Sequence, residues 1–256
     1  MSTAGEPIVA TPPSTTLVER VGRFVFRFRD YLAPAGLALI LASTHPEHLF
    51  GSRTVDMWAD LFGLVLCMIG QAVRVTVIGY AYIVRGGANK QLHAPKLVCE
   101  GFYAHSRNPM YVGNFFLLGG LAVIYNSRWV YLIGLPLFIG GIMSIVRAEE
   151  MFLQEKFGAE YDDYCRRVNR FWPRLKGLRA TLAPMTFDSK RVLRKEYGTT
   201  FAWVSAAIFL EAWEQLFHFG YRPEPWKIHA LLLAYVPVLI AYGVVRFLKK
   251  THRLDS

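Results

Sequence analysis

Residues 109–146 read PMYVGNFFLLGGLAVIYNSRWVYLIGLPLFIGGIMSIV, and Arg128 is the one charged side chain in the stretch. A bilayer core about 30 Å thick takes roughly 20 mostly apolar residues of α-helix to cross. The stretch has room for two crossings, at 109–124 and 129–146, with 125–128 left as the connection. This predicts a tight helical hairpin in a membrane. Working outward, apolar blocks recur at 31–48, 57–84, 200–219 and 228–248. The block at 31–48 is short, and the one at 200–219 carries Glu211 and Glu214. The expected fold is an all-α integral membrane bundle of about six transmembrane helices, five as the alternative, with a cytoplasmic amphipathic helix. No internal repeat is present.

The composition is 53% hydrophobic with a net charge of +10. A basic chain can bind nucleic acid, but the placement of the charges points elsewhere. Under the six-span topology, 24 Lys and Arg fall in the segments at one side of the membrane and 4 at the other, with Arg74 inside a span. The positive-inside rule then puts both termini in the cytoplasm. A basic cytoplasmic surface suits anionic lipid headgroups, and no nucleic-acid motif accompanies it. Cys67, Cys99 and Cys165 have no metal-ligand spacing, and their number and placement exclude a disulfide framework. The chain divides into a flexible tail (1–18), two membrane helices (19–95), a core containing the hairpin (96–174), a basic connector (175–199) and two further membrane helices with a tail (200–256). The tail has no signal-peptide character.

Two polar segments flank the hairpin on its cytoplasmic side and are expected to meet. The first, at 85–108, reads RGGANKQLHAPKLVCEGFYAHSRN. Asn108 suits an N-cap and Pro109 the first helical position. A helix N-terminus also offers free N–H groups to an anionic group. The second begins RAEEMFLQEKFGAEYDDYCRRVNRFWPR at Arg147. Leu153, Phe157, Tyr161, Tyr164 and Val168 recur at helical spacing, which predicts an amphipathic helix at the headgroups. Gly158 marks a bend and Pro173 an end. Glu155, Glu160, Asp162 and Asp163 read as solvated. Glu149 and Glu150 sit at the mouth of a span, where two carboxylates are costly without a cation. Arg147, Arg107 or a bound cationic ligand would supply one.

GFYAHSRNPMYVGNF, followed by EEMFLQEKFGAEYDDYCRRVNRFWP, resembles the isoprenylcysteine carboxyl methyltransferases and the related phospholipid methyltransferases. The likeness covers roughly residues 96–174. It departs from the family pattern at Asn108, where His is usual, and at Phe102, where Pro is usual. The resemblance implies a methyltransferase acting on a lipid or amphipathic acceptor, with S-adenosyl-L-methionine as cofactor. By that resemblance Gly101, Tyr103, Arg107, Asn108, Pro109, Tyr111, Glu149 and Glu150 form the cofactor site. Arg170, Tyr164 and Glu150 are the catalytic candidates, with Arg170 orienting the substrate and Tyr161 a weaker candidate. Carboxylates suit the sulfonium and ammonium of the cofactor, Arg107 its carboxylate, and Tyr103 or Tyr111 its adenine.

Two other readings stand beside this one. A membrane reductase using NADPH resembles the pattern too, but Asn114 stands where such enzymes carry an acid. A membrane protein of this fold without activity is the other. Outside the core, Glu211, Glu214 and His218 share a helical face. Pairing with Arg74, or an interfacial position, is expected of them rather than metal binding, and no metal site is expected. Trp203, Trp213 and Trp226 suit aromatic belts.

Overall fold

The computed structural model describes residues 17–47, 51–80, 94, 96–219 and 225–254. Among them every regular element is helical: α1 (Leu17–Ser43), α2 (Arg53–Tyr80), α3 (Pro109–Tyr125), α4 (Leu135–Phe157), α5 (Ala159–Arg167), α6 (Leu178–Leu182), α7 (Ser189–Phe219) and α8 (Pro225–Lys250). A 3-10 turn at Gly101–Ala104 precedes α3, and a π turn at Val130–Gly134 runs into α4. Thr54–Tyr80, Val130–Phe157 and Trp226–Lys250 are long and apolar enough to cross a membrane, and α3 is apolar but shorter. The blocks at 31–48 and 200–219 lie in α1 and α7. Arg27, Arg29 and Asp30 shorten the apolar run of the first, and Glu211 and Glu214 that of the second. The first helix begins at Leu17 rather than near residue 31, so the basic residues ahead of the apolar block are helical too.

The hairpin expected at 109–146 forms, but its two helices pack mainly on other partners and only slightly on each other. α3 lies along α2, while α4 lies along α1. Glycines on both sides of the α2–α3 seam explain this choice. A Cβ on Gly70 would sit 2.6 Å from the Gly113 carbonyl, and one on Gly120 would sit 2.4 Å from the Gly63 carbonyl. Without side chains there, the two backbones approach closely, which is how helices associate where burial in lipid gives no hydrophobic drive. The seam continues through Cys67 and Leu117 into an apolar core with Ala122, Ile124, Tyr125, Val130 and Leu210.

At one end of this seam Asn126 closes α3 in the left-handed region, φ 43°. Its amide donates to the Glu47 carbonyl at 2.5 Å and to Asp56 at 3.1 Å. Along the length of the seam α7 packs on α2 and α3, from Glu196 beside Arg74 to Glu214 beside Asp56, and α8 packs on α7. The amphipathic helix expected over 147–173 breaks at Gly158, as its φ of 50° requires, and stops at Arg167. Val168 is already extended, so the helix ends well before Pro173. Its apolar face is not on the headgroups. Leu153, Tyr161, Tyr164 and Val168 are buried together with Ala94, Leu97 and Cys99.

Candidate functional site

The polar start of α3 and the C-terminal half of α4 lie at the same end of the bundle, and a strap of chain after α5 joins them. Glu149 and Glu150 are 5% and 6% exposed, so each needs compensation at its own position. Successive helical residues point about 100° apart, and the two carboxylates accordingly meet different partners. Glu149 accepts a hydrogen bond from the Tyr111 hydroxyl at 3.0 Å. Glu150 accepts two from Arg170, from Nη2 at 2.6 Å and from Nε at 3.1 Å. Arg107 Nη2 lies 3.5 Å from the same carboxylate, and the Asn108 amide donates to it at 3.4 Å. One carboxylate therefore holds two guanidinium groups and an amide. Arg147, one of the cations expected to offset the pair, is exposed.

The strap is fixed by its backbone. The N–H groups of Arg107 and Asn108 donate to the carbonyls of Asn169 and Arg170 at 2.9 and 3.1 Å, and the Arg174 N–H donates to the His105 carbonyl at 3.0 Å. Ser106 Oγ donates to the Phe171 carbonyl at 3.0 Å. These contacts correct one expectation. Asn108 occupies the N-cap position of α3 without a side-chain capping bond. Its amide goes to Glu150 and to the Arg170 carbonyl at 3.2 Å instead.

The other candidates take different positions. Gly101 has φ 59°, which glycine adopts without strain, and starts the 3-10 turn. Tyr103 is 4% exposed and packs with Val77, Val98, Phe102, Met110 and Met185, so its ring offers no open face. Tyr111 is half-buried. Pro109 opens α3 at its first position. The buried Tyr164 hydroxyl donates to the Tyr103 carbonyl at 2.7 Å and so pins α5 to the 3-10 turn. Tyr161 lies nearer the charged group. Burial and, after it, the Glu150 charge push its phenol pKa far up, so it stays protonated. Burial likewise raises the Cys99 thiol. Cys165 contacts Arg107 Nη1.

Two polar groups outside this site have partners that were not legible in the sequence. Arg74 is held by Glu196, not by Glu211 or Glu214, with Nε–Oε1 at 2.6 Å and Nη2–Oε2 at 3.0 Å. Nη1 reaches Asn114, and Nη2 also reaches Thr199 at 3.2 Å. Asp56, Asp60 and Glu214 bring carboxylate oxygens within 4.8 Å of one another at the opposite end of α2. The side chain of His218 lies outside the described residues. An apolar cleft of about 290 Å³ between α7 and α8, lined by Ile208, Phe209, Leu231 and Tyr235 among others, holds no charged group.

Residues 58–160 match the phospholipid methyltransferase family. The match runs from α2 through the hairpin to the start of α5, so it contains Arg107, Asn108, Tyr111, Glu149 and Glu150 but stops short of Arg170. The phospholipid methyltransferase resemblance read from GFYAHSRNPMY and EEMFLQEKFG thus holds. A relative is the nickel-cobalt-cadmium resistance protein NccN of Alcaligenes xylosoxydans xylosoxydans, 26% identical over 172 residues, covering 67% of this chain and 77% of the relative. No solved structure matches.

Proposed function

We propose that the chain is a membrane methyltransferase that binds S-adenosyl-L-methionine between α3, α4 and the strap and methylates a lipid or amphipathic acceptor. The observation that carries this reading is the convergence of Arg107, Arg170 and Asn108 on buried Glu150, beside the Glu149–Tyr111 pair. The donor set fits the cofactor's charges. Carboxylates suit its sulfonium and ammonium, and a guanidinium suits its carboxylate. When bound, the cofactor supplies an electrophilic methyl group.

The residues of the chain bind and orient. Glu149 and Glu150 hold positive charge at the mouth of α4. Arg107 and Arg170 share Glu150, so either can turn one face to an incoming anion while keeping its anchor. Arg170 is 37% exposed at its side chain, the most open of the three charged groups, and is placed to meet the acceptor. Burial of the carboxylates limits water, which favours a transfer in which charge is neutralised. Positioning, not acid–base chemistry, supplies the rest. A carboxylate or phosphate acceptor needs no base, and the phenol of Tyr161 is too weakly acidic to act as one.

The charge asymmetry of the loops supports a site and both termini on the cytoplasmic side. It does so for six spans, counting α1, α3 and α7 with the three long apolar helices. The relative's name raises metal ions. The described donors at Asp56, Asp60 and Glu214 are all oxygen, which suits hard cations rather than nickel or cadmium. That name therefore gives no second reading here.

The test is thermal unfolding of the purified protein in detergent. S-adenosylhomocysteine is expected to raise Tm and NADPH to leave it unchanged. Glu150→Ala is expected to abolish the shift, and exposed Glu160→Ala to keep it. A shift with NADPH instead, or equal shifts in both variants, overturns the reading. Lipid extracts from cells with and without the protein then identify the acceptor, as a species heavier by one methylene group.

A further inference from the structure

The strap that carries Arg170 has an outer side that the site does not use. Trp172 and Leu175 are 83% and 72% exposed there, while Phe171 between Arg170 and Trp172 is turned inward. The Phe171 ring meets Phe115 edge to face, with centroids 5.4 Å apart. Phe115 lies six residues into α3, about 9 Å along its axis at 1.5 Å per residue. The strap's depth is therefore set by an apolar helix. Backbone bonds to His105, Arg107 and Asn108 lock it there, and His105 adds a ring contact from Nδ1 to the Arg174 carbonyl at 2.5 Å and from Nε2 to Thr181 at 2.9 Å. Trp172 and Leu175 thus project from a rigid segment at the level where α3 leaves its apolar surroundings.

The charges around them have one sign. From Tyr164 to Phe187 the sequence contains no Asp or Glu and six basic residues, Arg166, Arg167, Arg170, Arg174, Lys176 and Arg179. Arg166 pairs with Asp163 and Arg170 with Glu150. Arg167, Arg174, Lys176 and Arg179 are exposed. A tryptophan and a leucine among exposed cations match the interfacial layer of a bilayer, where the indole sits at headgroup level and the cations face anionic lipid.

We infer that residues 172–179 form a docking surface for anionic lipid headgroups, with Trp172 and Leu175 inserted and Arg174, Lys176 and Arg179 pairing with lipid phosphates. The surface stands independently of the methyl-transfer reading. Where that reading holds, the same short segment touches the lipid on one side and holds Glu150 through Arg170 on the other. Lipid contact then steadies the site at the place where a lipid acceptor would arrive.

The experiment uses the full chain in nanodiscs of phosphatidylcholine alone or with phosphatidylglycerol. The fluorescence difference between wild type and Trp172→Phe isolates Trp172. In anionic discs this signal is expected to be quenched by lipids brominated near the headgroup and shielded from acrylamide. Quenching by bromolipid is expected to be roughly twofold stronger than in neutral discs, and the Arg174→Gln/Lys176→Gln/Arg179→Gln variant to lose that difference. A Trp172 open to acrylamide and untouched by bromolipid in both discs overturns the proposal. So does equal quenching in both, or shielding that appears only when a soluble protein fraction is added. Unchanged Tm of the variants confirms that they fold.

Discussion

Asn108 divides its amide between a carboxylate and a carbonyl, Glu150 at 3.4 Å and Arg170 at 3.2 Å, and is 2% exposed. It joins the start of α3 to both other parts of the site, and the chemistry it needs is donation. Asn108→Asp removes both donors and sets a second negative charge against Glu150. It is expected to lower stability by about 2 kcal/mol and to abolish the Tm shift with S-adenosylhomocysteine. Asn108→His, the residue usual in the resembling family, keeps a donor and is expected to retain the shift. Thermal unfolding with and without ligand checks both. In the sequence, Asn108 reads as a cap because Asn before Pro at a helix start has that local meaning. The competing acceptors come from residues 150 and 170, and local spacing cannot reveal them. Glu149 and Glu150 were legible for the opposite reason, since two acids at the mouth of an apolar span are costly wherever the chain goes.

The seam between α2 and α3 turns on which glycines face it. Gly119 and Gly120 are neighbours, yet a Cβ on Gly119 meets nothing within 4 Å, while one on Gly120 falls 2.4 Å from the Gly63 carbonyl and 2.5 Å from Cys67 Sγ. Gly120→Ala is therefore expected to force the helices apart and cost about 1–3 kcal/mol. Gly119→Ala is expected to be neutral or to stabilise by up to about 1 kcal/mol through helix propensity. Unfolding of the two variants in the same detergent separates them. The start of α7 gives a pH prediction. The Arg191 backbone N–H donates to Asp188 Oδ1 at 2.8 Å, and the Arg191 guanidinium pairs with Oδ2 at 3.0 Å. These, led by the backbone bond, hold the Asp188 carboxyl below its ordinary 3.8. A depressed acid stabilises the fold above the unfolded value, and that contribution is lost as pH falls through the folded one. Wild type is thus expected to lose more stability than Asp188→Asn between pH 5 and the acid limit, read as Tm against pH. The existence of the apolar helices was legible from length and composition. Their partners were not, because a short link between 109–124 and 129–146 suggests a packed hairpin, and only the glycine faces send α3 to α2.

Across the whole molecule, α7 and α8 lie outside the stretch that matches the family, and polar contacts inside the bundle bind α7 to that stretch. Arg74 from α2 grips Glu196 with two nitrogens and reaches Thr199, and one turn away Trp203 donates to Gln71 at 2.7 Å. The same arginine contacts Asn114, whose neighbour Gly113 has room only for the Arg74 stem. Arg74 was marked in the sequence as a lone charge in a span, but Glu196 was not visible as its partner. That pairing depends on α7 beginning at Ser189 and running beside α2, a register set by tertiary packing rather than by local pattern. A charge left alone at such a depth is costly, while replacing both members of a buried pair by apolar groups is tolerated. Arg74→Met is expected to cost about 3–5 kcal/mol, because Glu196, 1% exposed, keeps its carboxylate without the cation. Glu196→Leu is expected to cost a similar amount for the converse reason. The double variant is expected to recover most of the loss, giving a coupling at least as large as either single cost in a double-mutant cycle. If the pair only ties α7 to the core, S-adenosylhomocysteine binding returns with stability in the double variant. If stability returns without binding, Arg74 also acts on the site through Gly113 and Asn114 of α3, and the two measurements on one protein decide between them.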